Sequence, residues 1–111
     1  MVIKDGHTVN ACLTLAMDCD GSEVITIEGL APGPAELHAL QESFIKHGAV
    51  QCGFCTPGMI MNALGFLVAN PDPTTDEIVQ GMEGNLCRCS AYKRILEAVE
   101  AYAGQNGGGH E

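Results

Sequence analysis

The chain is short of positive charge. Its 111 residues carry 5 Lys and Arg against 14 Asp and Glu, a formal net charge of -9. No basic stripe exists to displace phosphate counterions, which speaks against nucleic acid as a partner. The same shortage speaks against an anionic membrane surface. Long apolar runs are missing too. The stretch from Met59 to Ala69 is too short to span a bilayer. Met1 to Gly6 lacks a basic start followed by a long apolar run, so no secretory signal is expected. A cytoplasmic, reducing compartment is the expectation. There, six cysteines are read as ligands or free thiols before disulfides. There is no internal repeat, nucleophile motif, phosphate loop or dinucleotide fingerprint.

What the chain has is cysteine in a pattern. Gln51-Cys52-Gly53-Phe54-Cys55 supplies one close pair, and Asn85-Leu86-Cys87-Arg88-Cys89 supplies another. The spacing is C-x2-C, then 31 residues, then C-x-C. Two such pairs brought together by a fold make a set of four thiolates, which a metal or cluster would fill. Each pair precedes a helix start. Unpaired N–H groups and partial positive charge there are expected to lower the thiol pKa values. Gly53 and Gly58 let backbone approach closely. Four thiolates suit a [2Fe–2S] cluster. They also suit structural zinc, although zinc sites usually pair two C-x2-C knuckles, and no His adjoins either run. Spacing favours iron–sulfur, keeps zinc open, and places disulfides third. With no hydrolytic motif present, an electron carrier fits better than a chain that performs substrate chemistry. A zinc-stapled interaction module is the other reading.

Taken in order, residues 1–30 read as β-rich. Val2-Ile3-Lys4 and Thr8-Val9 flank the turn dipeptide Asp5-Gly6, a hairpin signal. Glu23 to Ile27 alternates as a half-buried strand would. Asn10 to Ala16 is apolar, and periodicity does not separate helix from strand there. Residues 31–34, Ala-Pro-Gly-Pro, read as a linker. A helix is expected from about Ala35 to His47, opened by Pro34 and stopped by Gly48, with Leu37, Leu40, Phe44 and Ile45 as its apolar face. A second helix starts with Thr56 as cap and Pro57 at the first position, and is apolar almost all round, so it is expected at the centre. Gly65 within it is expected to permit a close helix crossing. Thr74 and Glu77 form a capping box for a third helix to about Met82. Ser90 is expected to cap a fourth, with Ile95, Val99 and Tyr102 on one face. Residues 104–111 read as a disordered tail. The fold class is α+β, with four helices over residues 35–103 behind a small β fragment.

The runs QCGFCTPGMIM, NPDPTTDEI and GNLCRC resemble the second iron–sulfur domain of the xanthine dehydrogenase family of molybdenum hydroxylases, including the small subunits of carbon monoxide dehydrogenase-type enzymes. The resemblance covers about residues 34–103. It implies a four-helix [2Fe–2S]-binding bundle whose ligands are Cys52, Cys55, Cys87 and Cys89. It further implies that Gln51 and Cys89 approach the molybdopterin of a large partner subunit. Electrons would then pass to FAD on a medium subunit. Ser90-Ala91-Tyr92 departs from the family's usual Thr-Gly-Tyr but keeps a hydroxyl. The segment Asp5 to Leu13 resembles the end of a plant-type [2Fe–2S] ferredoxin domain, with Cys12 as the fourth ligand of its cluster. The other three ligands would lie upstream of Met1. The expectation is therefore an N-terminally truncated chain, a misassigned start, or another chain that supplies the missing ferredoxin half. A substantial apolar surface is expected where these parts would pack.

Other residues have plainer readings. Met59, Met61 and Met82 are expected in the core. His7, His38, His47 and His110 form no cluster and read as surface residues. Cys19 reads as a thiol outside the ligand set. Arg88 is either solvated or turned to a partner, and Phe54 shields the cysteines or a partner surface.

Overall fold

The structure is a computed structural model and describes residues 1–105. The residue run 106–111, with His110 and most of the expected tail, lies outside the described residues. Gly104 and Gln105 are helical, so the last helix runs further than the sequence suggested.

Strands β1 (Val2–Lys4) and β2 (His7–Val9) form a hairpin, and β3 (Val24–Ile25) pairs with the other edge of β1. Both pairings are antiparallel, with Ile3 opposite Thr8 on one side and Ile25 on the other. The hairpin turns on Asp5 and Gly6, at φ 50° and 84°. Two positive φ values in a two-residue loop match the right-handed twist of the flanking strands. The Asp5 backbone N–H donates to the Glu23 carbonyl at 2.8 Å, and its carboxylate accepts from the Glu23 N–H at 2.9 Å. These bonds fasten the turn to the approach of β3.

The expected strand over 23–27 shrinks to two residues, both exposed, and Ile27 enters a short 3-10 turn over Ile27–Gly29. The ambiguous run from Asn10 becomes neither strand nor α-helix. It forms 3-10 turns over Ala11–Leu13 and Ala16–Cys19 with no buried residue.

Four helices follow: α1 (Ala39–Lys46), α2 (Thr56–Ala69), α3 (Thr75–Met82) and α4 (Tyr92–Gln105). Helix α1 starts four residues later than expected, because His38 caps it instead of Pro34 opening it. The Leu40 N–H donates to His38 Nδ1 at 3.0 Å, and the His38 N–H donates to Gln41 Oε1 at 2.8 Å. Two orphan donors are met reciprocally, as a capping box does. His38 is half-buried, its ring 5.9 Å from that of Tyr102 and tilted 45° to it, so it is not a surface histidine. His47 is half-buried as well. The buried face of α1 is Leu40, Ser43 and Phe44, while Leu37 and Ile45 are exposed. Ser43 Oγ donates to the Ala98 carbonyl at 2.7 Å and ties α1 to α4.

Helix α2 is central. Met59, Ile60, Met61, Ala63, Leu64 and Leu67 are all buried. Its glycine serves a purpose other than a helix crossing. A Cβ on Gly65 would fall 1.7 Å from Thr8 Oγ1, so the missing side chain seats the β-hairpin. The close helix contact lies at Gly81 of α3, where an added Cβ would meet the Phe66 ring at 2.6 Å. Beside it, Asn62 Nδ2 donates to the Gly81 carbonyl at 2.9 Å. Helix α3 has the expected capping box: Thr74 Oγ1 accepts from the Glu77 N–H at 3.2 Å, and Glu77 Oε1 accepts from the Thr74 N–H at 2.8 Å. Thr75 of α3 hydrogen-bonds Glu100 of α4. Ile95, Val99 and Tyr102 are buried as expected. Among the described residues, no helix is long and apolar enough to cross a membrane.

Candidate metal centre

The two cysteine runs meet at one end of the helices. Gly53, at φ 86°, reverses the chain between Cys52 and Cys55. The Phe54 N–H then points to Cys52 Sγ at 3.4 Å. Cys55, not Thr56, is the residue that flanks α2, and its carbonyl accepts from the Met59 N–H at 3.0 Å.

On the other run, Ser90 has φ 60°. A helix cap takes extended backbone, so Ser90 is not the cap expected of it. Its left-handed turn instead brings the Ala91 N–H to Cys87 Sγ at 3.4 Å, while the Ser90 N–H donates to the Cys87 carbonyl at 3.1 Å. Ala91 enters the helix in its place, its carbonyl accepting from the Ile95 N–H at 3.0 Å. The Cys87 N–H donates to the Tyr92 hydroxyl oxygen at 2.7 Å, which anchors the loop to α4. The sequence marks Tyr92 only as the residue shared with the family's Thr-Gly-Tyr, three positions after Cys89, and does not give it this role.

Cys52, Cys55 and Cys87 line one open pocket of about 470 Å³, with Gly58, Asn85 and Arg88 also in its wall. Cys89 is half-buried against the core and is not among the lining residues. Gln51 is exposed beside the pocket. Cys12 is exposed and Cys19 half-buried, both on the β-rich segment. Among the described residues, no group of three or more His, Cys, Asp or Glu side chains is placed to hold a metal ion.

The thiols do not share one electrostatic fate. Burial pushes Cys55 up to about 11, and its hydrogen bond to Cys87 and the charges of Cys87 and Cys52 add to the effect. That corrects the expectation that every thiol here is lowered; desolvation outweighs the helix terminus at Cys55. Cys87 is lowered, first by the Ala91 N–H and then by its bond to Cys55. Between the two, Cys55 is the hydrogen-bond donor and Cys87 Sγ the acceptor.

The side chains are not gathered round a single ion, but their chemistry fits a sulfur-rich cluster. Three soft donors share one pocket, and two backbone N–H groups already aim at sulfur. Clusters are held by thiolates and tuned by such N–H bonds.

A family model described as the [2Fe-2S] binding domain matches residues 26–100. The chain belongs to that family. It is 48% identical over 106 residues to the nicotine 6-hydroxylase small subunit of Paenarthrobacter nicotinovorans, covering 96% of this chain and 63% of that protein. It is 52% identical over 99 residues to the nicotinate dehydrogenase small FeS subunit of Eubacterium barkeri, covering 88% of this chain and 62% of that one. Quinoline 2-oxidoreductase from Pseudomonas putida 86 superposes with a TM-score of 0.87 at 44% identity, covering 96% of this chain and 65% of the other. The chain thus spans less than two-thirds of the length of these relatives. The resemblance to the xanthine dehydrogenase-type iron–sulfur subunits, read first from the cysteine runs, holds.

Proposed function

We propose that this chain is the electron-transfer iron–sulfur unit, or part of it, of a molybdenum-cofactor hydroxylase. Cys52, Cys55, Cys87 and Cys89 are its cluster ligands in this reading. The observation that carries it is the shared pocket of Cys52, Cys55 and Cys87. When bound, a [2Fe–2S] cluster supplies a one-electron relay.

The chain's own residues hold and orient. Gly53 and Ser90 turn the two loops. The Phe54 and Ala91 N–H groups stabilise charge on sulfur. Tyr92 fixes the backbone at Cys87. Phe54 and Leu86 stand 92% and 82% exposed on the pocket rim, where a partner would exclude water. The relatives' names as small subunits support a multi-subunit assembly.

A large subunit carries molybdopterin near Gln51 and Cys89, and a medium subunit carries FAD. Residues 1–30 form the closing part of a ferredoxin-type domain, with Cys12 the fourth ligand of a cluster completed elsewhere. Residues 31–34 link it to the cluster-binding domain at 35–103. The assembly works in the cytoplasm.

The test is iron, zinc and acid-labile sulfide per chain on anaerobically purified protein, with an EPR spectrum after reduction. About two irons and two sulfides are expected on this chain alone. Substitution of Cys52, Cys55, Cys87 or Cys89 by Ser should remove or weaken that content. Iron unchanged in all four variants, or about one zinc without sulfide, would overturn the assignment.

A further inference from the structure

Asn85 lines the cysteine pocket and, on another side, a neighbouring apolar pocket. Its Oδ1 is buried and has no hydrogen-bond partner among the described residues. Its Nδ2 lies 3.2 Å from the point a Cβ on Gly58 would occupy, and Gly58 lines the same pocket. Another amide in the helical layer behaves differently: Asn62 donates to the Gly81 carbonyl and fastens two helices. A buried carbonyl oxygen without a donor is costly and calls for a reason. Packing is a poor one, since an apolar side chain would fill the space without the penalty. The reason that fits the wall position is the other end of the amide.

We propose that Asn85 presents its side-chain N–H to sulfur held in the cysteine pocket, and so raises the reduction potential of the cluster bound there. The inference rests on the cluster reading above. An N–H donor stabilises the more negative, reduced state of a thiolate-held cluster over the oxidised one, and such bonds are among the levers that set its potential. Gly58 is the enabling partner. Any side chain there would press on Nδ2 at a separation tighter than ordinary contact and turn the amide aside.

The test is an EPR-monitored potentiometric titration of the full cluster-loaded chain, with iron per chain measured on every sample. Asn85→Leu keeps the branched shape, with somewhat larger bulk, and removes the donor. Its reduced-to-oxidised ratio at a fixed ambient potential should fall about tenfold, ~59 mV downward for one electron. Asn85→Asp should fall at least as far, because a carboxylate adds negative charge. Gly58→Ala should shift the potential the same way by less, and should add nothing when combined with Asn85→Leu. Equal iron with an unchanged potential in Asn85→Leu overturns the proposal. If Asn85→Leu does not hold iron, Gly58→Ala decides: a downward shift supports the proposal and a wild-type potential overturns it. Wild-type protein without iron and sulfide would instead sink the cluster reading itself, and this inference with it.

Discussion

At the scale of single residues, His38 shows what a sequence hides. An isolated histidine beside an alanine gives no signal of a cap, since Ser, Thr, Asp and Asn are the usual ones. Only the fold reveals that neutral Nδ1 accepts from the Leu40 N–H. Burial lowers the His38 pKa from its ordinary 6.5. The unfolded chain therefore takes up the proton first as pH falls. The stability that His38 contributes is intact above pH 6.5 and is lost as pH drops from there toward the folded value. Urea unfolding at a series of pH values should show that loss. His38→Asn keeps a capping oxygen and should flatten the slope, whereas His38→Ala should cost ~1 kcal/mol at neutral pH. A slope identical in all three proteins would refute the role. The cysteines, by contrast, were legible at once, because few chemistries use C-x2-C and C-x-C in one short chain. The opposite pKa shifts of Cys55 and Cys87 were not legible, since they depend on which thiol the fold buries and which one a backbone N–H reaches.

At the scale of elements, caps and breakers written in local sequence were readable. The Asp5-Gly6 hairpin and the Thr74–Glu77 box both form. What local sequence does not contain is the partner across a contact. Gly65 and Gly81 look alike in the chain, but one seats a hairpin and the other a phenylalanine ring. Gly65→Ala tests the first. Alanine gains up to ~1 kcal/mol over glycine inside a helix, but the intruding methyl group costs ~1–3 kcal/mol by overpacking. The clash wins, and denaturation should show net destabilisation. The same substitution should cost less in a Thr8→Ala background, which removes the atom 1.7 Å from the new Cβ. Thr8→Val in the otherwise unchanged chain should be neutral or stabilising, by up to ~1 kcal/mol, because Thr8 Oγ1 is buried without a partner among the described residues. If Gly65→Ala were stabilising in both backgrounds, the hairpin would not be seated there.

At the scale of the whole molecule, two properties oppose each other. A net charge of -9 keeps copies apart. Yet the 3-10 turns expose Leu13 and Met17 at 80% and 85%, with Leu15, Val24 and Ile25 also exposed on the same β-rich segment. The helices supply most of the buried core, although Ile45, Val68 and Val79 on them are exposed; residues 1–30 bury chiefly Ile3. The sequence led to an expectation of an apolar surface where a missing ferredoxin half would pack, but which side chains form it could not be read until the turns were seen. Exposed apolar area of this kind drives association. The isolated chain should therefore self-associate, and the more so as salt screens its charge. Sedimentation at low and high ionic strength reads this directly. Leu13→Glu combined with Met17→Glu should suppress the association. Neither side chain is buried, so stability should move by less than ~0.5 kcal/mol and iron content should not change. A chain that stays monomeric at every salt concentration, or a double variant that loses its fold, would mean that these side chains are already covered in solution by a contact within the chain.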